Sequence, residues 1–127
     1  MNKLLTTITL LCLPVVSFAE IYLCTSQKEA TVMDPEVNGR SWFSISGDAD
    51  GQVIVDTSRG FRPNASWDDY VGQCERTDDL SFRCTYDPPG SIWLLSITET
   101  SRSGAIFGLS HTSSFAISAV GGTCTKA

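Results

Sequence analysis

Along most of the chain, apolar and polar residues alternate in short runs, separated by clusters of Gly, Pro, Asp and Ser. β-branched and aromatic residues concentrate in the runs, which is the pattern of antiparallel strands. About eight strands are expected, over Ile21 to Thr25, Thr31 to Met33, Ser41 to Ser46, Gln52 to Asp56, Ser81 to Tyr86, Ile92 to Thr98, Ala105 to Ser110 and Ser114 to Val120. Asp48-Ala49-Asp50-Gly51 and Asp87-Pro88-Pro89-Gly90 supply turn chemistry, as does Ser101-Arg102-Ser103-Gly104. The links after Ser81 are short, so a four-stranded meander is expected there. Phe107 and Leu109 form an inward set on one strand, and Phe115, Ile117 and Ala119 do so on the next. Ile92-Trp93-Leu94-Leu95 is apolar on both faces, which places that strand mid-sheet or beneath an outer cover. Trp67, Tyr70, Val71 and Cys74 follow the i, i+3, i+4, i+7 period after Ser66, so a short helix is expected before Cys74. The fold class is therefore all-β: a small antiparallel barrel or sandwich of seven or eight strands with one short helix, the barrel preferred.

Residues 1–19 break this pattern. Lys3 precedes an apolar stretch from Leu4 to Val16, and Ser17-Phe18-Ala19 has the small-x-small form of a leader cleavage site. A signal peptide is expected over 1–19, with a single domain over 20–127 and a periplasmic or secreted product. No later apolar run approaches the roughly 20 residues of a spanning helix. The full chain of 127 residues carries 9 Lys and Arg against 14 Asp and Glu, a net charge of −5. Loss of Lys3 with the leader makes that −6, and no basic patch remains, so nucleic acid is not an expected partner.

Of the five cysteines, Cys12 lies in the leader and Cys24, Cys74, Cys84 and Cys124 remain. An even number in an exported domain implies two disulfides. Of the three pairings open to four cysteines, the most economical joins Cys24 to Cys124 near the chain ends and Cys74 to Cys84 across a short turn. No Cys-x-x-Cys occurs and His111 is the single histidine, so neither a metal nor any other cofactor is expected.

Candidate chemistry is sparse. His111 adjoins Ser110, but neighbouring strand residues point to opposite faces, and His111 reads as an exposed turn residue. Asp68-Asp69 and Asp78-Asp79 are paired carboxylates in polar stretches, which usually remain solvated; a carboxylate hydrolase is the reading they would support. Asp48 and Asp50 echo the start of a calcium loop, yet Gln52 and Arg59 stand where further oxygen ligands belong. Trp42, Trp67 and Trp93 invite a saccharide platform, with Trp42 facing solvent if Phe43 and Ile45 face inward.

Thr100-Ser101-Arg102-Ser103-Gly104-Ala105-Ile106-Phe107, together with Tyr22-Leu23-Cys24 and a final Cys124, resembles the periplasmic C-type lysozyme inhibitors, small exported β-barrels. Ile106 replaces the basic residue of that pattern, and Gly108 to Gly122 lacks its tryptophan and acidic segment. The resemblance implies that Ser103 and its loop enter a lysozyme cleft, with Arg102 as a charge contact. An acidic protein with a stapled hairpin also suits a basic partner on electrostatic grounds alone. The expected function is a non-catalytic binding protein of the bacterial envelope, a monomer with a protein or glycan partner engaged through Trp42, Arg102 and Ser103. Inhibition of a hydrolase and saccharide binding are the alternatives.

Overall fold

The computed structural model describes residues 20–33, 42–46, 51–114 and 116–127, with only the backbone described at 32, 33 and 42–46. The expected leader, the Asp48 and Asp50 carboxylates and Phe115 lie outside the described residues. The described residues form nine strands: β1 (Ile21–Met33), β2 (Trp42–Ser46), β3 (Gln52–Asp56), β4 (Gly60–Arg62), β5 (Gln73–Asp78), β6 (Ser81–Tyr86), β7 (Ser91–Glu99), β8 (Gly104–Ser113) and β9 (Ala116–Lys126). Eight of them follow the antiparallel order β4-β3-β1-β9-β8-β7-β6-β5, while β2 pairs with the far half of β1. The ends of this path meet where Phe61 and Val71 exchange both backbone hydrogen bonds, each 2.9 Å, and the sheet becomes a nearly closed barrel. Barrel, rather than sandwich, is thus the architecture.

The meander β6-β7-β8-β9 is as expected, and Gln52–Asp56 and Ser81–Tyr86 have the expected bounds. Ile21 to Thr25 and Thr31 to Met33, expected as two strands, form one. β9 pairs with β1 from Tyr22 to Met33, and a bulge between Ser26 and Lys28 lies in the polar stretch that joins the two expected strands.

No helix occurs among the described residues, and the one expected before Cys74 is replaced by bends leading into β5. The Trp67 carbonyl, which a helix would need for the Val71 N–H, instead accepts from Arg62 Nε at 2.5 Å. The Val71 N–H itself closes the barrel on Phe61. Gly72 then takes a left-handed φ of 76°, where a Cβ would stand 2.4 Å from the Thr85 carbonyl oxygen. Barrel closure therefore overrides the helical period of the side chains.

The interior is filled by alternate residues of β1, β3 and β6 to β9 together with Phe61 of β4, led by Tyr22, Val55, Phe61, Leu95, Ile97 and Phe107. Cys24–Cys124 staples β1 to β9 and Cys74–Cys84 staples β5 to β6, each across directly paired residues. The disulfides settle which face of each strand is inside. Counting back by twos from Cys124 places Val120 and Ser118 inward, so Ile117 and Ala119, expected in the core, face solvent. Likewise Leu95 is buried while Ile92 and Leu94 on the other face of β7 are exposed, with no cover over them among the described residues.

Candidate functional site

The hairpin between β7 and β8 is the candidate loop that the structure equips best. Gly104 at its end accepts from the backbone N–H groups of Thr100 (2.9 Å) and Ser101 (3.2 Å), and its own N–H donates to Ser101 Oγ at 3.0 Å. The Ser103 carbonyl accepts from the Lys126 N–H at 2.8 Å, which ties the tip to the end of β9. Ser101, Arg102 and Ser103 are exposed on this braced frame. A loop whose backbone is already fixed loses less freedom on meeting a partner.

Beneath the tip lies a polar cluster that closes this end of the barrel. Tyr22 is fully buried, and its hydroxyl is 2.5 Å from Glu99 Oε1 and 2.9 Å from Glu20 Oε2. Lys126 Nζ donates to Glu20 at 3.3 Å and to Glu99 at 3.4 Å, and Arg76 pairs with Glu20 at 3.6 Å. The Arg76 guanidinium also lies over the Phe82 ring, 4.2 Å from its centroid. Burial lifts the Tyr22 phenol above its ordinary value of 10.0, and bonds to Glu99 and Glu20 push it the same way. The Tyr22 hydroxyl holds the Glu99 carboxyl below its ordinary 4.5 against the opposing effect of burial, and Lys126 and Arg76 add to the lowering. For Lys126, burial opposes the charge, but the bonds and attraction of Glu20 and Glu99 outweigh it and raise the ammonium above its ordinary 10.5.

These shifts set a pH profile. Glu99, lowered in the fold, contributes stability that is present above its unfolded value and lost as pH falls through the folded one. Tyr22 and Lys126, raised in the fold, contribute stability that is present below their unfolded values and lost as pH rises beyond them. Urea unfolding should therefore give a stability plateau from about pH 5 to about pH 9, an acid decline below it and an alkaline decline above about pH 10. Tyr22→Phe should flatten the alkaline limb; an unchanged limb in that variant would contradict the assignment.

The turn between β5 and β6 shares this end of the barrel and was not singled out as a binding feature by the sequence. The Glu99 N–H donates to the Leu80 carbonyl at 2.7 Å, Asp78 Oδ1 accepts the Leu80 N–H at 2.8 Å, and Arg76 donates to the Asp79 carbonyl at 2.8 Å. Leu80 is 55% exposed, an apolar side chain presented beside two exposed carboxylates and next to the Arg102 tip. Only its adjacency to Asp78-Asp79 marks it in the sequence; the pairing that brings it beside Glu99 is long-range.

The aromatic candidates gather at the opposite end. Trp67 meets Trp93 edge-on at 5.9 Å and 74°, and His111 stacks on Trp93 at 3.8 Å and 15°. His111 is thus a half-buried strand residue and not an exposed turn residue, because Ser and Thr extend β8 through Ser113. Trp42 pairs with Met33 in the backbone register at this same end, and its side chain lies outside the described residues. Trp42 and the pair Arg102 and Ser103 therefore belong to opposite ends of the barrel. Asp68 and Asp69 lie in the exposed bends after Trp67. Arg59 lies over the Tyr70 ring, 4.4 Å from its centroid. No group of three His, Cys, Asp or Glu able to hold a metal ion occurs among the described residues.

Comparison with protein-family models, with curated proteins and with solved structures finds no match to this chain.

Proposed function

We propose that the chain is an exported, non-catalytic binding protein of the bacterial envelope that engages a protein partner through the β7–β8 tip. The observation that carries this reading is the braced frame around Arg102: the backbone on both sides is fixed by hydrogen bonds while the side chain is exposed. The two disulfides suit an oxidising compartment. A net charge of −5 and the exposed carboxylates of Asp78 and Asp79 beside the tip favour a basic partner. The reading as non-catalytic is supported by His111, which lies against Trp93 while Ser110 belongs to the other face of β8.

Within this reading the partner is a basic glycoside hydrolase. Such an enzyme places two carboxylates at its cleft, and a single guanidinium on a rigid hairpin is complementary to that charge. The test is titration of C-type lysozyme with the disulfide-bonded protein and with an Arg102→Ala, Ser103→Ala double variant. Wild type should inhibit with nanomolar to micromolar affinity, and the double variant should lose at least tenfold. Undiminished inhibition by the double variant would show that the tip is not the binding face; no inhibition by wild type would remove lysozyme as the partner. A saccharide site at the aromatic end draws support from the meeting of Trp67 and Trp93. Their edge-on contact and the His111 stack leave no parallel pair of open ring faces, so the tip is preferred.

A further inference from the structure

The two disulfides stand in unlike surroundings. Cys24 and Cys124 are 2% and 5% exposed, within the β1–β9 ladder, and β3 and β8 pair along the outer sides of those strands. Cys74 is the one bridged cysteine that is not buried, while its partner Cys84 is 1% exposed. β5 ends the sheet path. β6 pairs along one side of it, and the closing bridge between Phe61 and Val71 lies before its first residue. Among the described residues no strand pairs with Gln73–Asp78 on the other side. Apart from Cys74, every side chain of β5 is exposed, so the strand offers no apolar face to hold it down. Beyond the β6 ladder, Arg76 ties it to Glu20 at 3.6 Å, and an ion pair between such partly exposed groups contributes little. The disulfide is thus the main fastening of this edge.

We propose that Cys74–Cys84 is a thiol–disulfide exchange site, opened in the folded protein by a dithiol reductant, and that its opening releases β5 from the barrel. One thiolate of the reductant attacks Sγ of Cys74, the half-buried member of the pair. A mixed disulfide forms and Cys84 leaves as a thiolate. The second thiolate of the reductant then attacks the reductant's own sulfur in the mixed disulfide, which frees Cys74 and leaves the reductant as a disulfide. Two electrons pass to the protein, and the two protons given up by the reductant end on Cys74 and Cys84. Arg76 follows Cys74 on the same face, about 7 Å along the strand, and its positive charge favours the thiolates as they form. Cys24–Cys124 offers no such route. Both of its residues are buried and both of its strands are paired on each side, so a reductant meets it only when the barrel opens, and its rate is scaled down by that opening equilibrium. Once the bridge is open, β5 keeps little more than its backbone ladder to β6.

Timed reduction of the disulfide-bonded protein by dithiothreitol, with the freed thiols alkylated and mapped by mass spectrometry, tests this. Cys74 and Cys84 should be alkylated roughly a hundredfold faster than Cys24 and Cys124, or more, giving a one-bridge species that keeps the far-ultraviolet spectrum of the barrel. In that species, and in a Cys74→Ser, Cys84→Ser double variant, hydrogen exchange over Gln73–Asp78 should rise roughly tenfold more than across the β8–β9 ladder. Loss of both bridges at one rate, earlier loss of Cys24–Cys124, a one-bridge species that unfolds, or one in which β5 is as protected as before would each overturn the proposal.

Discussion

Replacing Cys24 and Cys124 together by alanine should lower the unfolding free energy by about 4 to 5 kcal/mol, the value expected for a cross-link closing a loop of about 100 residues. The sequence separation of the pair is 100, and both residues are buried. The cross-link joins β1 to β9, the first and last strands, which pair over the longest register in the barrel. Without it, that pairing must form against the full closure entropy of the chain. A domain of this size has a total stability of only about 5 to 15 kcal/mol, so the variant should be largely unfolded at 37 °C. Cys74–Cys84, with a separation of 10, should contribute nearer 3 kcal/mol. Urea unfolding of the two double variants checks both values; equal losses would show that loop length is not what governs the staples.

Phe61→Ala should be the costliest single substitution in the core, at about 3 to 5 kcal/mol. Phe61 is fully buried, and its backbone supplies the two hydrogen bonds to Val71 that bring β4 to the segment before β5. Its ring packs against Gly72, where a Cβ would lie 3.0 Å from Cε1. Truncation leaves a cavity at the seam, where the short strand β4 of three residues offers little other contact. Hydrogen exchange at Val71 should accelerate along with the loss of stability. A variant with wild-type stability would mean that the barrel closes without this contact.

The legible parts of the fold are those where local pattern and global structure agree. Gln52–Asp56 and Ser81–Tyr86 alternate cleanly and are bounded by turn residues, and the most economical of the three possible cysteine pairings is the one formed. β5 was invisible because Gln-Cys-Glu-Arg-Thr-Asp exposes nearly every side chain and shows no apolar alternation; the disulfide, not a hydrophobic face, fixes its orientation. The helical spacing of Trp67, Tyr70, Val71 and Cys74 misled because Arg62 and Phe61 claim the backbone groups on which a helix depends. The facing of Ile117 and Ala119 was within reach of the sequence: parity from Cys124 gives it, and apolar content alone gives the opposite answer. For the site, the Ser-Arg-Ser-Gly hairpin was legible from turn chemistry. The Tyr22 cluster beneath it was not, since it is assembled from Glu20, Arg76, Glu99 and Lys126, residues far apart in sequence.

Binding through the β7–β8 tip can be read by capture from envelope and secreted fractions, using immobilised, disulfide-bonded protein alongside the Arg102→Ala, Ser103→Ala double variant. A single basic protein should be retained by wild type, lost by the double variant and kept by a Trp42→Ala control at the opposite end of the barrel. Retention of the same proteins by wild type and double variant, with loss in Trp42→Ala, would contradict it and move the binding face to the aromatic end.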